Sequence, residues 1–311
     1  MSTQVRISEV SLRDGLQSIS RIMPTQAKKE CILAAVRAGV CEMEVGSFVP
    51  SSLLPQMADT AEIVEFARGV EGLDVVALVP NLKGAQRAIA AGAHRMSIPF
   101  SMSETHSVRN VRKDHAAMIA EIGAIAQAVA ASPEGQRPHF EVGLSTAFGC
   151  TIEGPVNEDQ VVRLAEASIE AGAVEVCLSD TTGYANPAQV RRLVRAVKAA
   201  IGSDRLNTLH LHNTRGLGLA NVLAGLDEGI RTFDASIGGL GGCPFAPGAS
   251  GNIVTEDLVF MLEAMGVDTG IDLERLFEVR KIFAEALPGE PLYGFTPDAG
   301  LPLGFNNSRE K

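Results

Sequence analysis

Four times along this chain a helical apolar pattern stops at a glycine and a short strand-like run begins within a few residues. Gly39 precedes the run from Cys41 to Val45, and Gly92 that from His94 to Ile98. Gly172 precedes Val174 to Leu178, and Gly229 precedes Thr232 to Ser236. Glycine is the usual residue for a left-handed cap at a helix C-terminus. Helix-to-strand steps repeated at even spacing restrict the chain to a parallel sheet with helices packed outside it.

The remaining pattern completes the alternation. Strands are expected near 5–10, 42–48, 73–79, 94–100, 138–145, 174–179, 206–212 and 232–237. Helices are expected near 25–38, 57–68, 83–91, 113–131, 157–171, 187–201, 218–228 and 255–265. Pro24, Pro187 and Thr255 stand where helix starts fall. Eight of each over about 265 residues predicts an α/β fold of the (β/α)8 TIM barrel type. An open doubly wound sheet also alternates, but the count favours the barrel. Aromatics make up 5% of the chain and Trp is absent, so Ala, Val, Leu and Ile must fill the core. A further helical pattern, 272–287, and a Pro/Gly-rich tail read as a C-terminal helical extension at a subunit contact. The expectation is one catalytic domain over 1–311, barrel about 5–266 and extension about 267–311, in a homo-oligomer.

A formal net charge of −10 argues against nucleic acid or an anionic membrane as partner, though not against an anionic small ligand. No apolar run is long enough to span a bilayer, and the first residues lack a signal or transit pattern. The five cysteines are odd in number and have no CxxC spacing, which argues against a disulfide framework or a four-thiolate zinc site and for a reducing cytoplasm.

In such a barrel, chemistry sits at the C-terminal ends of the strands. The first strand is expected to end in Arg13 and Asp14, the second in Glu44 and Ser47, and the sixth in Ser179, Asp180 and Thr181. The seventh ends in His210 and His212, and the eighth runs into a Gly-rich loop carrying Cys243 and reaching Asn252. Residues i and i+2 of a strand face the same side, so both imidazoles can address one ion. A bare H-x-H on a strand is more often silent than metal-binding; this pair gains weight from lying opposite Asp14 at one rim. A carboxylate and two imidazoles with open positions suit Mg²⁺ or Mn²⁺, and ligand count alone leaves catalytic zinc open. Arg13 either pairs with Asp14 or stabilises charge developing on a substrate oxygen, as an enolate beside a thioester requires. The Cys243 loop has neither GxGxxG spacing nor a Walker lysine, so no nucleotide motif is present.

These residues carry a family resemblance. The segments Arg13-Asp-Gly-Leu-Gln17, Glu44-Val-Gly-Ser-Phe48, Pro80-Asn-Leu-Lys-Gly84, Leu178-Ser-Asp-Thr-Thr-Gly183, His210-Leu-His212 and the loop from Gly239 through Cys243 to Asn252 resemble 3-hydroxy-3-methylglutaryl-CoA lyases, metal-dependent Claisen-type barrel enzymes. The match runs from about Val5 to Asp272, and the Cys243 loop is its most discriminating part. The resemblance implies a divalent-metal lyase that cleaves a 3-hydroxyacyl-CoA to acetyl-CoA and a keto product, in the cytoplasm and in leucine degradation. It implies Asp14, His210, His212 and Asn252 as metal ligands, Arg13 at the enolate, and Cys243 as the thiol that protonates it. Glu44 and Asp180 become supporting or acid/base groups. Gln17, Ser47, Asn81, Lys83 and Thr181 are expected at the acyl-CoA substrate.

The chain departs from the family pattern at Ser11 and Leu12, where Gly-Pro is usual, at Arg215, where an aromatic is common, and at Thr146, where some members have Cys. These positions bear on the acyl group, with citramalyl-CoA an alternative substrate. A condensing acyltransferase of the isopropylmalate-synthase type shares Arg-Asp-Gly and H-x-H; it usually continues Glu-Gln, where this chain has Leu16 and Gln17. Lys83, Arg109, Arg112 and Lys113 are candidates for CoA phosphates and equally read as a solvated helix face.

Overall fold

The computed structural model describes residues 4–241 and 251–305. Its eight strands are β1 (Arg6–Glu9), β2 (Glu42–Ser47), β3 (Asp74–Leu78), β4 (Arg95–Ser101), β5 (His139–Ser145), β6 (Glu175–Asp180), β7 (Leu206–Leu211) and β8 (Thr232–Ala235). Each pairs in parallel with its sequence neighbours, and β8 returns to pair with β1, so the sheet is a closed barrel. The outer ring is α1 (Thr25–Arg37), α2 (Thr60–Ala67), α3 (Leu82–Ala91), α4 (Glu104–Val111), α5 (His115–Ala131), α6 (Glu158–Glu170), α7 (Pro187–Ile201), α8 (Gly218–Asp227) and α9 (Thr255–Ala264), and α10 (Leu273–Ala286) and α11 (Phe295–Ala299) follow. Among the described residues no helix is long and apolar enough to cross a membrane.

The junction glycines behave as caps: φ is +101° at Gly39, +82° at Gly92, +108° at Gly172 and +78° at Gly229. Helix starts are set by side chains that accept first-turn amides, with Asn81, Ser103, Asp114, Asn157, Asn186 and Asp272 as acceptors. Two helices escape the periodicity. α4 has no apolar stripe and rests on its Ser103 cap, and α11 is a single short turn in the tail. The extension is not loose: α10 packs on α1, and Asp272 N–H donates to Ala38 O at 2.7 Å.

Alternation along the strands separates two environments. Phe140, Val142, Leu144, Leu178, Leu209 and Phe233 point outward into the helices and form the main core. The opposite face points into the barrel and is largely small or polar, as at Ser8, Ser97, Gly143, Ser179 and Thr208. Arg95 on β4 confirms this orientation by reaching Glu175 on β6 and, at 3.8 Å, Glu42 on β2, strands that are not its neighbours.

Candidate active site

Arg13 and Asp14 do not end a strand, as the sequence reading expects. β1 stops at Glu9, and both residues lie on a single wide turn, Ser11–Gly15, of π-helical type. The amides of Arg13, Asp14 and Gly15 all converge on Val10 O, at 3.1, 2.8 and 3.2 Å. Such turns inside helices are often found at functional sites. The buried carboxylate of Glu9 anchors the turn. It accepts from the Ser11 amide at 2.8 Å, the Ile237 amide at 3.3 Å and the Thr255 hydroxyl at 2.6 Å.

The turn aims Asp14 at the end of β7. Its Oδ1 is taken by Arg13 Nη1 and by Gln17 Nε2 at 2.8 Å. This leaves Oδ2 facing His212 Nε2 at 3.8 Å and Asn252 Nδ2 at 2.6 Å. His210 Nδ1 bonds Asp234 Oδ2 at 2.9 Å, which turns its Nε2 toward His212 Nε2 at 3.1 Å. Asn252 is delivered by the returning chain, which bridges His212 through Asn213 N–H to Gly251 O at 3.0 Å and Ile253 N–H to Leu211 O at 3.3 Å. Gly241 makes room: a Cβ there would lie 2.3 Å from Asn252 Nδ2 and 2.9 Å from Asp14 Oδ2.

These residues fit a divalent cation. Asp14, His210 and His212 offer one ligand atom each within 4.8 Å of one another, and all three side chains are buried. With Nδ1–H given to Asp234, His210 presents an Nε2 lone pair to a point that His212 Nε2 also faces. The carbonyl oxygen of Asn252 and Nδ1 of His212 are buried without a hydrogen-bond partner. Charge asks for the same thing. Burial opposes ionisation of Asp14, but Arg13 and the two histidines outweigh it and hold its carboxyl far below the usual range. Burial also opposes protonation of His210, yet Asp234 and Asp14 raise it above its ordinary value. The surrounding carboxylates thus favour positive charge at this point of the site.

Asp234 is the residue that sequence reasoning missed. Its signal was an acid at the inward phase of the eighth strand, between Phe233 and Ala235. A ligand histidine whose second nitrogen is fixed by a carboxylate is oriented for its ion. Asp234→Asn is therefore expected to weaken metal binding about 10- to 100-fold while the fold survives, read by metal titration beside a thermal melt. Unchanged affinity would remove Asp234 from the site.

Arg13 is shared. Its Nε faces Glu44 Oε2 and its Nη1 faces Asp14, and neither bond uses Nη2. Burial of Glu44, partly countered by Arg13, pushes its carboxyl up to about 7, and its Oε1 is buried without a partner. Asp180 Oδ1 accepts the amides of Tyr184 at 2.8 Å and Ala185 at 3.2 Å, while Oδ2 is buried without a partner. Burial raises its carboxyl as well. Thr181 Oγ1 accepts the Thr146 amide at 2.9 Å, and Thr146 holds a left-handed φ of +56°. Arg215 stacks on Tyr184 at 4.6 Å and donates to Thr182 O and Gly183 O, tying the loops after β6 and β7 together.

Other expected positions have structural duties. Gln17 orients Asp14, Ser47 Oγ accepts the Val49 amide at 3.3 Å, and Asn81 caps α3 through the Gly84 amide at 3.0 Å. Lys83, Arg109 and Arg112 are exposed, and Lys113 pairs with Glu121 at 2.7 Å. Cys243 lies outside the described residues.

Comparison with known proteins agrees with this geometry. The HMGL-like family model matches residues 4–283. The chain is 38% identical to hydroxymethylglutaryl-CoA lyase YngG of Bacillus subtilis over 291 residues, 93% of this chain and 95% of that protein. It is 37% identical to the cytoplasmic 3-hydroxy-3-methylglutaryl-CoA lyase of Rattus norvegicus over 91% of this chain and 81% of that one. Among solved structures, an HMG-CoA lyase from Acinetobacter baumannii in complex with coenzyme A and 3-methylmalate superposes with a TM-score of 0.89 at 40% identity, covering 97% of each chain.

Proposed function

The chain belongs to the HMGL-like family, and from that premise we propose that it is a carbon–carbon lyase cleaving 3-hydroxy-3-methylglutaryl-CoA to acetyl-CoA and a keto acid. The observation that carries the reading is the convergence of Asp14, His210 and His212 beside a buried Arg13 in a chain so similar to enzymes of that name. Magnesium or manganese as the ion, a cytoplasmic location, a homo-oligomer and a role in leucine degradation belong to the same proposal. So does a single catalytic domain over residues 1–311.

Asp14, His210, His212 and Asn252 would hold the divalent ion, which when bound would supply Lewis acidity for the 3-hydroxyl of the substrate. The protein's own groups do the rest. Among the described residues, Glu44 Oε1 and Asp180 Oδ2 are the two partnerless carboxyl oxygens near the ion site, and they are the atoms assigned to receive the hydroxyl proton. As that proton leaves, C3 becomes a ketone, the C2–C3 bond breaks and its electron pair forms the thioester enolate. Arg13 Nη2 meets the enolate oxygen, a fixed charge in a water-poor site where it acts most strongly. Cys243 delivers the proton to C2. Gln17, Ser47, Asn81, Lys83 and Thr181 are assigned to the acyl-CoA, with Gln17 also holding Asp14 in place.

The purified protein with Mg²⁺ or Mn²⁺ is expected to release acetyl-CoA from a member of a 3-hydroxyacyl-CoA panel that includes the hydroxymethylglutaryl and citramalyl thioesters. No turnover on any of them, with metal bound, would sink the reading. Condensation of acetyl-CoA with a 2-oxoacid would make it a synthase. Cys243→Ser is expected to keep metal and lower kcat by about 100-fold; an unchanged rate would take the thiol out of the reaction.

A further inference from the structure

A barrel of this kind ordinarily fills its interior with layers of branched apolar side chains. This one does not. Below the ion site most inward positions are small or polar, Val76 and Leu78 on β3 being the apolar exceptions, and the outward residues of the same strands show how different the two faces are. Val142, Leu144, Leu178, Leu209 and Phe233 have 0% exposure, whereas inward Thr208 and Thr232, two residues below His210 and Asp234, each retain 7%. Surface reached by a water-sized sphere inside a closed barrel is internal space.

That space has an opening. At the N-terminal mouth lies a cavity of about 300 Å³, lined in part by Arg6, Glu42, Arg95 and Glu175 and reaching inward to Thr208 and Thr232. The volume holds several waters. The next inward residues on the same two strands are His210 and Asp234, the floor of the ion site. A two-residue step along a strand is about 6.6 Å.

We propose that this bore is a water-filled proton path from the N-terminal mouth to the floor of the active site, with Glu141 as the proton-carrying group midway. Glu141 sits on β5, half-buried, and is faced by Glu175 and Cys177 from β6, Arg95 from β4, Glu42 from β2 and Asp234 from β8. Burial and the surrounding carboxylates, against Arg95 alone, raise its carboxyl well above the usual range. Both effects favour the protonated form of its carboxyl.

The inference rests on the lyase reading and gives the bore a task. Cleavage takes one proton from the 3-hydroxyl and places one on C2, so it is proton-neutral overall. Two different groups perform these transfers, and each turnover leaves a carboxyl group protonated and a thiol deprotonated. An acyl-CoA on the upper rim shields the carboxyl group from solvent. From Glu44, which faces Asp234, the surplus proton leaves downward through water and Glu141 to the mouth. The thiol regains its proton from solvent when product departs.

The test uses the full-length, Mn²⁺-loaded enzyme with Glu141→Gln, Glu141→Asp and Gly143→Leu. Gly143 faces the bore, and the nearest atom to a Cβ there is Ser97 Oγ at 3.7 Å, so a larger side chain enters as a plug. Glu141→Gln and Gly143→Leu are expected to keep metal content and KM, lower kcat about tenfold and enlarge its solvent deuterium isotope effect, with Glu141→Asp restoring both. Without substrate, a high-resolution crystal structure of the wild type is expected to show hydrogen-bonded waters from Thr232 to Asp234. Wild-type kcat and isotope effect in the Gln and Leu variants, or a dry bore, would overturn the proposal. A wild type that turns over no acyl-CoA overturns the lyase reading instead, and the water chain then decides the bore alone.

Discussion

His210→Ala is expected to abolish turnover and to weaken divalent-metal binding by at least about 100-fold, beyond the loss that follows from altering a residue behind the ligand. Two effects combine. The ion loses one imidazole donor, and Asp234 loses the hydrogen bond of 2.9 Å that pairs it. Isothermal titration with Mn²⁺ and acetyl-CoA release measure the two consequences separately. Retained metal with a normal rate would mean that the ligand assignment is wrong, whatever the family. A thermal melt run alongside distinguishes a lost ligand from a lost fold.

The second large effect is at Arg13. Arg13→Lys keeps a positive charge but cannot present Nε to Glu44, Nη1 to Asp14 and Nη2 to a substrate oxygen at once. A fall in kcat of about 100- to 1000-fold is expected, the scale of losing one donor to a developing oxyanion, with metal affinity changed far less. Equal losses in metal binding and rate would instead make Arg13 a holder of Asp14 and no more. The lysine variant is the informative one, because Arg13→Met strands Asp14 and Glu44 as buried carboxylates without their counter-charge.

Most of the fold was legible because it repeats. All eight strands and the eight barrel helices fall close to the expected segments, since a Gly-capped junction and a buried apolar run are local signals. α4 was not legible, because its first turn is decided by the Ser103 hydroxyl and its sequence has no apolar face. Within the site, Asp14, His210 and His212 could be named from the rim positions and the H-x-H spacing. Two things were hidden. The wide turn that carries Arg13 and Asp14 depends on Glu9 reaching Thr255, a contact 246 residues apart in the chain. Asp234 acts through His210, and nothing adjacent to it in sequence announces that. The role assigned to Cys243 rests on the family pattern.

The long reach of Glu9 has a consequence for how the protein comes into being. Residues 9–14 emerge early in synthesis, yet their partners Ile237, Asn252 and Thr255 arrive late. Contacts so distant in sequence cost chain entropy before they return anything, and they form late. A nascent chain short of the eighth strand therefore has the two histidines but no competent ion site. A divalent ion bound by the completed site would favour the native state over its precursors, and part of its binding energy would then hold the β1–β8 seam closed.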